Sequence, residues 1–274
     1  MPELPEVETV RNTLKIDILN KKILEVKVFY DKIIQNVSKD KFIHALAGQT
    51  FLDIKRKGKY LIFILSNCYL IGHMRMEGKY FLMHDEDITK HDHIIFYFDD
   101  SNLRYNDTRK FGTMHLFSKE EYSYDDLFNI EPLKKIGKEP FETNASELYN
   151  NIKNKNRNIQ AILLDQSIIS GLGNIYVDEV LFMSKLHPCT SAKKISLNDC
   201  ENIINNSIQV LNKAISIGGT TIHSFESSHG VTGRFQNELL VHTKKICPVC
   251  NSSIIKERVD GRGTYICPNC QKIK

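Results

Sequence analysis

No stretch of this 274-residue chain is apolar for long enough to cross a bilayer. Its first residues carry Pro2, Glu3, Pro5, Glu6 and Glu8 where a secretory leader would carry lysine or arginine. These absences argue against a helical membrane protein and predict a soluble chain that stays in the cytoplasm. A strong charge of one sign is also lacking. The formal net charge is +4, too small by itself to establish a nucleic-acid binder. Cysteine is present seven times but unevenly distributed. Cys68, Cys189 and Cys200 stand apart, and Cys68, in an apolar strand-like run, reads as a small core residue. The length is sufficient for two domains with separate cores.

The N-terminus reads Met1-Pro2-Glu3-Leu4-Pro5-Glu6-Val7-Glu8. Removal of Met1 would leave Pro2 with a free secondary amine. A terminal amine titrates near ~8, against ~10.4 for lysine, so part of it is unprotonated at neutral pH. Such an amine can attack an electrophilic carbon and form an iminium, which acts as an electron sink. A second reading is purely structural. Leu4, Val7, Arg11, Leu14 and Ile18 recur at helical spacing, which predicts a helix from about Pro5 to Leu19 with the glutamates at its positive end. The two readings are compatible.

Near the other end stand Cys247-Pro248-Val249-Cys250, sixteen residues, and Cys267-Pro268-Asn269-Cys270. Two close pairs at this separation predict one tetrahedral zinc with four thiolates and no open position, hence a structural ion. Two disulfides or redox-active pairs are the alternatives. Between the pairs, Ile254–Ile266 reads as two short strands around a glycine-containing turn. Val241–Lys274 carries seven Lys/Arg and two Asp/Glu, which leaves the remainder of the chain close to neutral. Basic charge concentrated on a small hairpin points to phosphate contact.

Between the ends, alternation at Leu24–Tyr30 and β-forming runs at Lys59–Leu65, Tyr69–Met74, Ile94–Phe98 and Met114–Phe117 predict an antiparallel sandwich over roughly residues 1–120. Phe128–Phe141, with Pro132, Gly137 and Pro140, reads as a linker. Helical periodicity dominates from about Ser146. Ile203, Ile204, Ile208, Leu211, Ala214 and Ile215 share one face of a long helix, and Gly171-Leu172-Gly173 separates two shorter ones. Asn174 reads either as a helix cap or as a phosphate contact at a helix start.

The terminal Pro-Glu and the four-cysteine hairpin, together with Lys59-Tyr60-Leu61, Lys90-His91-Asp92-His93, Leu103-Arg104-Tyr105, Asp107–Gly112, Gly171–Tyr176, Gly218–Thr221 and Arg262, give the chain its resemblance to the bacterial formamidopyrimidine-DNA glycosylases. The resemblance runs through nearly the whole length. It implies an α+β fold: an N-terminal antiparallel β-sandwich with an N-terminal helix (1–130), a helix–two-turn–helix domain (131–235) and a zinc-ribbon hairpin (236–274). DNA would lie between the halves. It implies a monomeric base-excision repair enzyme, both glycosylase and AP lyase, that acts on double-stranded DNA carrying oxidised purines or abasic sites. Pro2 would attack C1′ of the extruded nucleotide, Glu3 would act as acid, and β- and δ-elimination would follow. Lys59 and Arg262 would serve phosphate binding and elimination, and Glu6 would help line the base pocket. His91 and Asn174 would contact DNA. Met76, Arg109 and Phe111 would fill the gap left in the duplex, with Arg109 on the orphaned cytosine. The stretch Thr221–Phe235 would cover the flipped base.

Two departures stand out. The usual His-Leu-Gly-Met-Ser-Gly is His73-Met74-Arg75-Met76-Glu77-Gly78, so two methionines compete for the wedge. The usual Asp-Pro-Arg-Arg-Phe is Asp107-Thr108-Arg109-Lys110-Phe111, and loss of the proline is expected to loosen that loop. Two rivals remain: an enzyme of the endonuclease VIII type, which prefers oxidised pyrimidines, and a non-catalytic zinc-ribbon DNA-binding module.

Overall fold

The computed structural model describes residues 1–84, 86–220 and 233–274. The chain divides into two compact units. One comprises Met1–Lys134 with the described residues of Gly218–Gly233; the other comprises Lys135–Ile217 and Arg234–Lys274. Among the described residues no helix is long and apolar enough to cross a membrane.

The first unit opens with α1 (Leu4–Ile18), whose buried stripe is Leu4, Val7, Val10, Leu14 and Ile18. Arg11, the polar member of the predicted stripe, lies at its edge and donates to the Ile54 carbonyl at 3.4 Å. Then follow β1 (Glu25–Val28), α2 (Lys39–Leu46), β2 (Phe51–Lys57), β3 (Tyr60–Leu65), β4 (Cys68–His73), β5 (Lys79–Met83), β6 (Asp92–Tyr97), β7 (Asn102–Asn106) and β8 (Thr113–Ser118). The strands form two antiparallel sheets, in the orders β1-β6-β7-β5 and β2-β3-β4-β8. One apolar core takes Val7, Val10 and Leu14 from α1 together with Phe42, Phe51, Phe63, Phe96 and Leu103.

Every residue of β4 is buried, on both faces. The outer face is covered by Leu127 and Leu133, with Tyr122, Tyr124, Phe128 and Ile130 packed around them. The first half of the predicted linker is therefore packed chain. Its apolar residues cap the outer face of the second sheet and remove that surface from water.

The second unit contains α3 (Ala145–Ile152), α4 (Ile159–Leu163), α5 (Asn174–Met183) and α6 (Leu197–Ser216), then the hairpin β9 (Ile255–Val259) and β10 (Arg262–Ile266). Helix α6 opens on a reciprocal capping box between Ser196 and Asp199 and buries Cys200, Ile203, Ile204, Val210, Leu211 and Ala214. Asp260 and Gly261, both at positive φ, make the tight hairpin turn between β9 and β10.

Helix α5 carries two fully buried acids. Glu179 accepts from the backbone N–H groups of Leu240 (2.7 Å), Val241 (3.0 Å) and His242 (2.8 Å). Asp178 accepts from His242 Nδ1 (2.7 Å) and Tyr265 N (3.2 Å). Burial pushes both carboxyls above their usual range, against the pull of those donors. The pair fastens the segment before the zinc hairpin, and the hairpin itself, to α5. Glu179→Ala leaves three N–H groups, two of them buried, without an acceptor and is expected to cost about 3 kcal/mol in urea unfolding. Glu179→Gln, which keeps one acceptor oxygen, is expected to lose less.

Candidate functional site

The α1 start is built by its own glutamates. Glu3 is the N-cap residue, and the Glu6 carboxylate returns to accept from Glu3 N at 2.9 Å. Pro5 sits in the first turn, where a missing N–H costs little. Pro2 is therefore the last residue before a tightly closed helix end. It is buried, while Met1 is exposed.

Glu6 is almost fully buried, and both its oxygens are engaged. Oε2 serves Glu3, and Oε1 accepts from Thr220 N (2.8 Å) and Thr220 Oγ1 (3.1 Å). A Cβ at Gly219 would meet Glu6 Oε1 at 2.7 Å, so only glycine permits this approach, and its φ of +75° suits glycine as well. Glu6 thus joins the start of α1 to the residues that lead into Thr221–Phe235. Of that stretch, residues 221–232 lie outside the described residues.

Lys59 is buried in the turn between β2 and β3. It follows the basic run Lys55-Arg56-Lys57. Arg56 is a tenth exposed, donates to Glu8 at 3.0 Å and holds the Gly58 carbonyl at 2.9 Å. Glu8 also receives Arg11. Burial pushes the Glu8 carboxyl up, but hydrogen bonds and charge from Arg11 and Arg56 outweigh it and hold the group below its ordinary range. This bridge ties the Lys59 turn to the helix that Pro2 and Glu3 lead into.

Beside that turn lies His73, the last residue of β4. It pairs with Tyr60 across the sheet, with ring centroids 4.5 Å apart. Its Nδ1 accepts from Arg75 N at 2.9 Å. Burial, then the Arg75 and Lys59 charges, push its pKa down to about 3. The ring is neutral at physiological pH, so its other nitrogen carries the proton and is a donor.

Two loops and strand β6 of the first unit meet around Asp107. Its fully buried carboxylate accepts from the N–H groups of Arg109, Phe111 and Gly112, each at 2.9 Å. Its own N–H donates to His91 O at 3.0 Å, and His93 Nε2 lies 2.7 Å from its carbonyl. Lys110 takes a positive φ of 58°. This wrapped loop turns Arg109 and Phe111 outward; Phe111 is 52% exposed, and the Arg109 guanidinium lies 4.8 Å from its ring centroid. Met74 is 2% exposed and part of the core, whereas Met76 is 37% exposed. Burial thus leaves Met76 as the methionine available to a partner. The Tyr105 hydroxyl occupies the space where a Cβ at Gly78 or Gly112 would stand, at 2.2 and 1.6 Å respectively. Both loops are keyed to this one phenol.

In the second unit Asn174 is the first residue of α5, and its N-cap is Gly173. Asn174 therefore does not cap the helix. Its Nδ2 donates to Gly263 O at 2.9 Å, next to Arg262 on β10. Its Oδ1 is buried with no hydrogen-bond partner among the described residues. Gln166 clamps the glycine loop before α5, taking Gly171 N at 3.0 Å and giving to Leu172 O at 2.8 Å. Further ties, Asn158 to Asp260 (2.9 Å) and Gln160 to Thr264, hold the hairpin that presents the exposed Arg262.

The four cysteine sulfurs Cys247, Cys250, Cys267 and Cys270 lie within 4.8 Å of one another, with Cys250–Cys267 at 3.5 Å and Cys247–Cys270 at 3.8 Å. A tetrahedron with zinc–sulfur bonds of about 2.3 Å places sulfurs about 3.8 Å apart. A disulfide would need about 2.05 Å. The cluster fits one zinc ion and does not fit two disulfides. Asn251, at φ +59°, turns the chain after Cys250.

Two expectations follow. Folded His73 refuses a proton that the unfolded chain accepts below about 6.5, so stability falls as pH drops from there toward about 3. Between pH 6.5 and 4, the urea-unfolding free energy is expected to fall on the order of 2–3 kcal/mol more in the native chain than in His73→Asn. Cys250→Ser is expected to lose the zinc by elemental analysis and to open the finger to limited proteolysis at Lys256 and Arg258. Structural zinc contributes about 10–16 kcal/mol in small modules of this kind.

Three family models match the chain in order: the formamidopyrimidine-DNA glycosylase N-terminal domain over residues 1–114, the formamidopyrimidine-DNA glycosylase H2TH domain over 136–226, and a zinc finger found in FPG and IleRS over 245–273. Formamidopyrimidine-DNA glycosylase of Mycoplasma genitalium is 44% identical, with 100% of this chain and 96% of that protein covered. The protein of the same name from Bacillus licheniformis is 46% identical, with 99% and 100% covered. Among solved structures, Lactococcus lactis Fpg in complex with an abasic site containing DNA matches with TM-score 0.90 at 39% identity, over 98% of this chain and 99% of that one. A complex of the wild-type Lactococcus lactis protein with an N7-Benzyl-Fapy-dG containing DNA matches with TM-score 0.91 at 39% identity, over 99% and 100%. With this likeness over its full length and the four-sulfur cluster in place, the chain belongs to the formamidopyrimidine-DNA glycosylase family.

Proposed function

We propose that this chain is a bifunctional DNA glycosylase and AP lyase of base-excision repair that removes oxidised purines from double-stranded DNA. The observation that carries the reading is the α1 start: Glu3 and Glu6 close the helix so that residue 2 stands at its threshold, and the Glu8–Arg56–Gly58 bridge ties the Lys59 turn to the same helix.

The chemistry follows from the residues. Once Met1 is removed, the Pro2 nitrogen is a secondary amine. It attacks C1′ of an extruded nucleotide, and the N-glycosidic bond breaks as the base leaves with a proton. Ring opening of the sugar, with Glu3 donating a proton to the ring oxygen, yields an iminium between Pro2 and C1′. The iminium draws electrons from C2′, a C2′ proton is lost, and the 3′ phosphate departs. A second elimination releases the 5′ phosphate, and hydrolysis frees Pro2. Lys59 and Arg262 supply positive charge to the phosphates, and neutral His73 offers one of them an N–H without a charge. His91 and Asn174 add contacts to the DNA backbone. Arg109, with Met76 and Phe111, occupies the gap opposite the orphaned base. Glu6 acts through its ties to Glu3 and Thr220 at the edge of the base pocket. The four cysteines hold a structural zinc, which stabilises the finger that carries Arg262.

In this reading residues 1–130 form the catalytic domain, 131–235 the helical DNA-binding domain and 236–274 the zinc finger. The protein works as a monomer in the bacterial cytoplasm.

Borohydride reduction in the presence of 8-oxoguanine duplex is expected to give a covalent adduct on Pro2, and intact mass is expected to show Met1 absent. Pro2→Gly should slow trapping by more than tenfold while duplex affinity is retained. Adducts mapped elsewhere, or none with active protein, would refute the assignment. Faster excision of oxidised pyrimidines than purines would move the chain to the endonuclease VIII type.

A further inference from the structure

We propose that Glu77 and Thr108 form a latch that joins the Met76 tip to the Arg109–Phe111 tip, so that both enter the opened duplex as one body. The proposal rests on the glycosylase reading and makes Glu77 and Thr108 positioning residues for base extrusion.

The Thr108 hydroxyl donates to a Glu77 carboxylate oxygen, across thirty-one residues of sequence. The two residues occupy the positions at which this chain departs from its family's usual serine and proline. Threonine in place of the proline supplies a donor, and glutamate in the facing loop supplies an acceptor. A carboxylate acceptor makes a stronger bond than a neutral one. Glu77 has a second effect in the same contact: a free carboxylate beside a phosphodiester repels it, and a carboxylate engaged by Thr108 is turned toward protein.

The latch completes an arrangement whose base is already rigid. Gly78 and Gly112 close on the Tyr105 hydroxyl, and the Asp107 carboxylate wraps the Arg109 loop from below. Glu77 and Thr108 lie one residue from Met76 and one from Arg109, beyond those anchors. Without the latch, each tip is fixed only at its root and moves independently. With it, the relative position of wedge and reading group is set before DNA arrives, which lowers the ordering cost of insertion.

The test is a double-mutant cycle on excision of 8-oxoguanine from duplex DNA. Thr108→Val and Glu77→Ala are each expected to lower kcat/KM by about five- to tenfold, the scale of one hydrogen bond. The double variant is expected to be no worse than either single one. Glu77→Gln keeps an acceptor oxygen and is expected to retain most of the rate. Cleavage at an abasic site in a single-stranded oligonucleotide, where no opposite base leaves a gap to fill, should be unchanged in all four. In the free protein, amide hydrogen exchange at Met76 and Arg109 should quicken in both single variants. Additive losses, a Gln variant as impaired as the Ala variant, equal losses on the single strand, or unchanged exchange would each overturn the latch. A native chain inactive on both substrates would instead overturn the glycosylase reading on which the latch stands.

Discussion

The Glu6 carboxylate has two oxygens and gives each to a different part of the first unit. One closes the start of α1 through Glu3 N, and the other holds the backbone and hydroxyl of Thr220. The helix end that presents Pro2 and the residues that lead into the following segment therefore share one buried group. A buried carboxylate is costly unless its lone pairs are filled. Here they are filled by two backbone N–H groups, of Glu3 and Thr220, and by the Thr220 hydroxyl.

The same device recurs. Asp107 collects three N–H groups and shapes the loop of Arg109 and Phe111. Glu179 collects three more and fastens the approach to the zinc hairpin. In each case a short irregular segment, with no helix or strand ladder to satisfy its amides, is ordered by one buried acid: Asp107 within its own loop, Glu179 from α5. Irregular backbone placed in this way can be exposed at its tip and still be fixed, as recognition loops need to be. The zinc cluster belongs to the same scheme. It orders a finger with little apolar core of its own, while Asn158, Gln160, Asn174 and Asp178 tie the hairpin to the helices. The placement of Arg262 thus rests on a metal at one end of the hairpin and on hydrogen bonds along it.

Burial separated residues that sequence alone could not. Met74 and Met76 are alike in kind and two positions apart, yet one completes the core and the other faces outward. Arg56 reads as one cation in a basic run, yet it is a strut between α1 and the Lys59 turn. Asn174 reads as a cap or a phosphate contact; its amide serves the hairpin, and Gly173 takes the capping position. Strands β2, β5 and β7 escaped the period-two reading. Charged or polar residues such as Lys55, Arg104 and Asn106 interrupt their apolar pattern, and partners that satisfy those residues come from elsewhere in the fold. Arg104, for instance, donates to Asn102, Asp92 and two carbonyls.

The zinc ligands, the helical start behind Pro2, the hairpin turn, and the class of fold with its sandwich and helical halves were legible from the chain alone. These follow from local spacing: two cysteines three apart, an apolar stripe at 3.6 residues, Asp-Gly between strands. Folding settled which methionine is exposed, that His73 is a neutral donor beside Lys59, that Tyr105 keys Gly78 and Gly112, and that Glu77 meets Thr108. Each of those depends on atoms brought together from separate strands and loops. Burial and hydrogen-bond partnership across such distances are properties of packing, and packing is not written in the spacing of residues along one segment.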